Sequence, residues 1–132
     1  MIRLLDTNTC IYFLNETSEK VIAQFQKLTP SQIKLSSITV AELFYGVEKS
    51  KSVKKNRIIV ENFISAFDII PFDFECSKIY AKTRALLELA DTPVGPMDLL
   101  IAAISLTHNF TLVTNNTKEF QRVKNLKLEN WI

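Results

Sequence analysis

Short apolar runs alternate with stretches of helical periodicity from one end of this chain to the other, and that alternation leaves few folds open. Residues 2–5, 33–38, 68–72 and 111–114 read as strands, and 126–128 as a candidate fifth. Between them, 9–14 is a short apolar helix, and 17–28 carries Val21, Ile22, Phe25 and Leu28 at helical spacing. A helix over 39–49 puts Val40, Leu43, Phe44 and Val47 on one face, and one over 53–67 stacks Ile59, Phe63 and Phe67. Residues 74–90 form a long helix, ended by Pro93 and Gly95, and Pro96 suits the first turn of a helix over 96–108. Strands separated by helices pair in parallel through right-handed crossovers. The expected fold is α/β: a three-layer α/β/α sandwich around a central, mainly parallel sheet of four to five strands. At 132 residues, with 47% hydrophobic content and only two glycines, the chain reads as one domain over 1–132.

An acidic residue stands at four of the junctions between elements. The segments are Leu4-Leu5-Asp6-Thr7-Asn8, Thr39-Val40-Ala41-Glu42-Leu43, Gly95-Pro96-Met97-Asp98-Leu99 and Thr114-Asn115-Asn116-Thr117-Lys118-Glu119. Asp6, Glu42 and Glu119 follow strands, which places them beyond the carboxyl edge of a parallel sheet. Asp98 opens the helix that leads into the fourth strand, and a crossover helix runs antiparallel to the strands. Its N-terminus therefore lies at the same edge, where open α/β sheets bind their ligands.

Each acid also has an ordinary structural use. Asp6 suits a helix cap, and Thr39 with Glu42 has the S/T-x-x-E spacing of a capping box, as Asn116 with Glu119 nearly does. Asp98 sits where a helix dipole favours negative charge. The neighbours of Asp6 and Asp98 are apolar, however, and carboxylates there need protons or a cation to offset the lost hydration. Hard divalent ions take oxygen ligands and keep several waters, so Mg²⁺ or Mn²⁺ is the expected cofactor, with Asp6 and Asp98 as direct ligands.

The other residue types narrow the chemistry further. A lone histidine, His108, and two well-separated cysteines exclude a structural zinc site and serine or cysteine triads. Cys10 and Cys76 are expected as free buried thiols in a reducing cytoplasm. No apolar run approaches the ~20 residues of a membrane span, and Met1-Ile2-Arg3 leads straight into a strand rather than a leader peptide. A formal net charge of +2 permits an anionic partner without demanding one. Lys49, Lys51, Lys54, Lys55 and Arg57 form one cationic run, read as solvated surface. Lys118, Arg122, Lys124 and Lys127 form another, beside the fourth acidic segment. Lys118 and Arg122 are therefore the preferred contacts to a phosphate backbone.

Taken in order, Leu5-Asp6-Thr7-Asn8, Ala41-Glu42-Leu43 with Tyr45-Gly46, the run from Val94 to Ala103, and Val113-Thr114-Asn115-Asn116 with Glu119-Phe120 resemble the PIN-domain nucleases. More narrowly, they resemble the VapC toxins of bacterial toxin–antitoxin pairs, and the resemblance extends over the whole chain to Trp131. It implies a metal-dependent endoribonuclease with Asp6, Glu42 and Asp98 as site acids, and Thr114 touching the site through its hydroxyl. The family's fourth acid position is occupied here by Asn116. Glu119, three residues on, is the candidate to replace it, and the choice between the two stays open. The resemblance further implies a VapB-like antitoxin as partner, a homodimer, and a structured RNA substrate such as initiator tRNA. Phe44, Tyr45, Phe63 and Phe67 are the candidate contact residues for such assembly. Two rival readings are a phosphatase-like enzyme with Asp6 as nucleophile and an RNA-binding module without turnover.

Overall fold

The computed structural model describes residues 1–132. Five strands, β1 (Arg3–Leu5), β2 (Ile33–Ser36), β3 (Asp68–Ile70), β4 (Thr111–Val113) and β5 (Lys127–Glu129), form one sheet in the order β3-β2-β1-β4-β5. Every neighbouring pair is parallel, with Leu4 opposite Lys34 on one side and Leu112 on the other. Strand β1 is thus central, which explains why Leu4 and Leu5 are both fully buried.

Period-two alternation splits those two leucines between the faces of the sheet. Leu5 joins Leu35 and Val113 in a core with helices α1 (Thr7–Leu14), α2 (Glu19–Lys27), α3 (Ser37–Glu48) and α4 (Val53–Ile64). Leu4 and Leu112 face the other core, formed with α5 (Phe74–Leu89), α6 (Pro96–His108) and α7 (Thr117–Phe120). The result is the three-layer sandwich. Truncating either leucine to alanine costs roughly 2–5 kcal/mol at such a site.

Several boundaries differ from those read in the sequence, each for a local reason. Ser36 ends β2 early because its hydroxyl accepts the Thr39 N–H at 3.0 Å and caps α3. The proposed Thr39–Glu42 capping box therefore does not form: Thr39 is buried in the first turn, and Glu42 lies in the second turn rather than just after a strand. Asp6 caps α1, which begins at Thr7 rather than at residue 9. Glu119 stands on the short helix α7, which opens after Asn116 as the Asn116–Glu119 spacing suggests, though the Asn116 side chain makes no cap bond. Phe63 belongs to the core and Phe44 and Phe67 pack against it, so of the four residues offered for assembly only Tyr45 is exposed. Both cysteines are free and buried. No helix is long and apolar enough to cross a membrane.

Candidate active site

The acidic site begins at the end of β1. Asp6 extends the β1–β4 ladder by donating its N–H to the Val113 carbonyl at 3.0 Å, so its backbone is held by the sheet. Its Oδ1 accepts the Thr9 N–H at 2.9 Å, and the side chain is only 5% exposed. Capping and site membership therefore coexist, because a carboxylate has a second oxygen to offer. Beneath it, burial and then the charge of Asp6 push the Cys10 thiol well above its ordinary range, so Cys10 stays protonated and apolar.

Glu42 arrives from α3 and is steered by two threonines. Thr7 Oγ1 donates to Glu42 Oε1 at 2.5 Å. The same hydroxyl lies 3.2 Å from Thr39 Oγ1, and with its single proton committed to the carboxylate it can only accept there. The relay Thr39–Thr7–Glu42 thus ties α1 to α3 and fixes one rotamer of Glu42.

Asp98 and Glu119 meet at the start of α6. Gly95 occupies the N-cap, Pro96 the first turn, and Asp98 the end of that turn. Glu119 reaches across from α7: Oε1 accepts the Gly95 N–H at 2.7 Å and Oε2 accepts the Asn116 side-chain amide at 3.0 Å. These two donors, Gly95 first, hold Glu119 below the usual carboxylate range. Asp98 moves the other way, from 3.8 to about 6, through burial first and then the charges of Glu119, Asp6 and Glu42. The charges of the other three acids that the sequence singled out therefore all reach Asp98.

Asp6, Glu42 and Asp98 open together into a pocket of about 280 Å³, which Tyr45 and Lys49 also line. Glu119 does not line it, having both oxygens engaged behind Gly95. Thr114 is fully buried, and its hydroxyl oxygen accepts the Asn116 N–H at 3.0 Å. It shapes the turn that presents Asn116 and has no surface to offer a substrate, contrary to the direct contact expected of it. Lys118 is exposed on α7, and Arg122 donates to the Pro93 carbonyl at 2.7 Å. Neither reaches the acidic pocket. The cation that does is Lys49, from the run read as solvated surface. Its ammonium sits 5.1 Å above the Tyr45 ring. Glu42, Tyr45, Gly46 and Lys49 follow i, i+3, i+4, i+7 spacing, so the signal that places Lys49 beside Glu42 was present in the helix period.

The donor set is all oxygen: carboxylates, the Thr7 hydroxyl and no imidazole or thiolate. The raised Asp98 carboxyl reflects burial first and the neighbouring acids second, and a cation would offset both. No three acidic side chains are already arranged as a cage for an ion. Such a set suits a hard divalent ion that keeps much of its water and takes one or two carboxylates from the protein.

Comparison with known proteins gives the family of the chain. The family model described as "PIN domain" matches residues 3–126. The chain belongs to the PIN-domain family. Within it, Ribonuclease VapC2 of Rickettsia felis is 43% identical over 132 residues, covering 99% of this chain and 98% of the relative. The tRNA(fMet)-specific endonuclease VapC of Salmonella typhimurium is 38% identical, covering 97% and 96%. The crystal structure of VapBC2 from Rickettsia felis bound to a DNA fragment from their promoter superposes with a TM-score of 0.92 at 42% identity, covering 100% of both chains. That of DNA-bound VapBC from Salmonella typhimurium gives 0.94 at 37% identity, covering 100% and 99%. The VapC branch of the PIN family is therefore where this chain sits.

Proposed function

We propose that this PIN-domain protein is a divalent-metal-dependent endoribonuclease, the toxin of a pair with a VapB-like antitoxin, acting on a structured RNA of the initiator-tRNA kind. The observation that carries the reading is the opening of Asp6, Glu42 and Asp98 into one pocket at the carboxyl edge of a parallel sheet. Full-length relatives named as VapC ribonucleases support the reaction, one named for tRNA(fMet) supports the substrate, and VapBC complexes support the partner.

Asp6 and Asp98 are the residues that would hold Mg²⁺ or Mn²⁺, which when bound neutralises phosphoryl oxygens and makes a water more acidic. Asp6 is suited to this because the sheet and the Thr9 cap hold it rigid. Glu42, fixed by Thr7, orients the attacking water and receives its proton as the water oxygen bonds to phosphorus, while the P–O bond to the leaving ribose oxygen breaks and that oxygen takes a proton from solvent. Lys49 offers a positive charge to the scissile phosphate or its neighbour, and Tyr45 an exposed ring for a base. Glu119 acts indirectly, by fixing the Gly95 turn from which Asp98 projects, and the Asn116 amide both holds Glu119 and hydrogen-bonds the Asp98 carboxylate. Asn116 thus needs no carboxylate of its own.

The test is cleavage of purified tRNA with Mg²⁺ by wild type, Asp6→Asn and Asp98→Asn. Asparagine also caps helices, so Asp6→Asn is expected to fold. Both variants are expected to lose at least a hundredfold in rate, and EDTA to silence the wild type. Full activity in either variant, or in EDTA, would overturn the assignment.

A further inference from the structure

The largest groove on the protein lies away from the acidic pocket. The C-terminal half of α5 and the turn between α7 and β5 enclose about 590 Å³. Lys82, Arg122 and Lys124 line this groove, and no acidic residue does. None of the three is in an ion pair, whereas Lys78 and Arg84 on the same face-forming helix pair with Glu75 and Glu88. Arg122 also feels the Glu119 carboxylate, whereas Lys82 and Lys124 sit beside Ile79, Leu86 and Leu106 with no acid in the lining, and an anionic occupant would supply the counter-charge they lack.

The backbone keeps these charges in place. Asn125 adopts a left-handed turn with φ 69°, and Val123 beside it is buried. Lys124, between an anchor and a turn, is therefore held at the lip of the groove. One of the groove's cations also braces the loop that leads into α6. Arg122 Nη1 donates to the Pro93 carbonyl at 2.7 Å, and two residues later Gly95 donates to Glu119.

We propose that this groove takes the phosphate backbone of the RNA substrate outside the cleaved segment, so that a folded RNA is held at two places at once. The proposal rests on the nuclease reading and extends it: recognition of a structured RNA needs contacts that a short strand cannot reach. The charge pattern favours phosphate over a protein partner, since a protein would have to bring at least as many acids to a groove with none of its own.

The experiment measures binding of total tRNA and of a tetranucleotide in EDTA, across a salt series, for wild type and Lys82→Gln/Lys124→Gln. Both lysines are exposed, and equal melting temperatures confirm that the variant folds. The double variant is expected to weaken tRNA binding about tenfold and to lower the log–log salt slope by about 2, with tetranucleotide affinity changed less than twofold. An unchanged tRNA slope would overturn the proposal, as would an equal loss on both ligands or a defect seen only in antitoxin binding. Turnover plays no part in this measurement. A wild type that binds tRNA with the groove-dependent slope yet never cleaves it with Mg²⁺ would therefore sink the nuclease reading alone.

Discussion

Gly95 donates its backbone N–H to Glu119 Oε1 at 2.7 Å, across 24 positions of sequence. That contact ties α7 to the N-terminus of α6 and leaves Glu119 no free oxygen, since Asn116 holds the other. Glu119 is accordingly a positioning residue. Glu119→Ala leaves the half-buried Gly95 N–H without its partner and is expected to cost about 1–2 kcal/mol. Cleavage should fall through kcat, with KM for RNA little changed, and Glu119→Gln should recover part of it because its carbonyl still accepts from Gly95. A variant that loses only KM would place Glu119 on the substrate instead.

The same turn makes a second prediction. Gly95 has φ −53° and ψ 145°, a conformation open to any residue. A Cβ there would meet Glu119 Oε1 at 3.4 Å and Asp98 Oδ2 at 3.9 Å, which is ordinary contact. Gly95→Ala should therefore melt within a degree or two of wild type, yet slow cleavage several-fold by placing a methyl against two site carboxylates. A large drop in Tm would show that the turn tolerates no side chain.

Asp98 carries the pH dependence. Its folded carboxyl titrates near 6 rather than 3.8, from burial and then from Glu119, Asp6 and Glu42. Between those values the folded chain keeps a proton that the unfolded chain has released. Stability contributed by the protonated form is complete below the lower value and is lost as pH rises through the upper one. In EDTA the wild type should melt lower at about pH 7 than at about pH 5, and Asp98→Asn should flatten that part of the curve. Because Asp98 is only half-buried, screening reduces the gain at neutral pH to on the order of 1 kcal/mol. The variant should thus be more stable and inactive. A flat wild-type curve would remove the proposed repulsion.

Much of this organisation was legible in the residues because it follows from hydrophobic patterning. Short apolar runs marked the strands, helical spacing marked the elements between them, and parallel topology then carried Asp6, Glu42 and Asp98 to one edge although 36 and 56 positions separate them in turn. What escaped depends on side chains answering one another across elements. Ser36 and Thr39 are both good caps in sequence, and only the packing of α3 decides for Ser36. Thr7 reads as one more turn residue until Glu42 stands 2.5 Å from its hydroxyl. Thr114 lies in a string of polar residues, but it directly follows the buried strand β4 and is itself fully buried. Lys49 was hidden among four other cations, and the heptad step from Glu42 would have separated it from them.

Thr7 offers a prediction on orientation rather than charge. Thr7→Val keeps the shape but removes the proton given to Glu42 and the acceptor for buried Thr39. Loss of the bridge should destabilise the protein by about 1–2 kcal/mol and reduce kcat at least tenfold with little change in KM. Thr7→Ser, which retains the hydroxyl, should restore both. Equal losses in the two variants would mean that the threonine methyl, not its hydroxyl, matters.

Lys49 separates the two cationic runs. It lines the acidic pocket together with Glu42, while Lys118 does not. Removing Lys49 as Lys49→Gln should raise KM for RNA several-fold and lower the salt slope by about 1, the signature of one lost phosphate contact. Its stability should barely move, because the exposed Tyr45 contact contributes only about 0.5–1 kcal/mol at such a site. Lys118→Gln should change KM less than twofold. The comparison is direct, since both substitutions remove one charge from an exposed helix and differ only in which surface they face. If Lys118→Gln proved the more damaging, the substrate would have to approach from α7, and the pocket between α1 and α3 could not be its route.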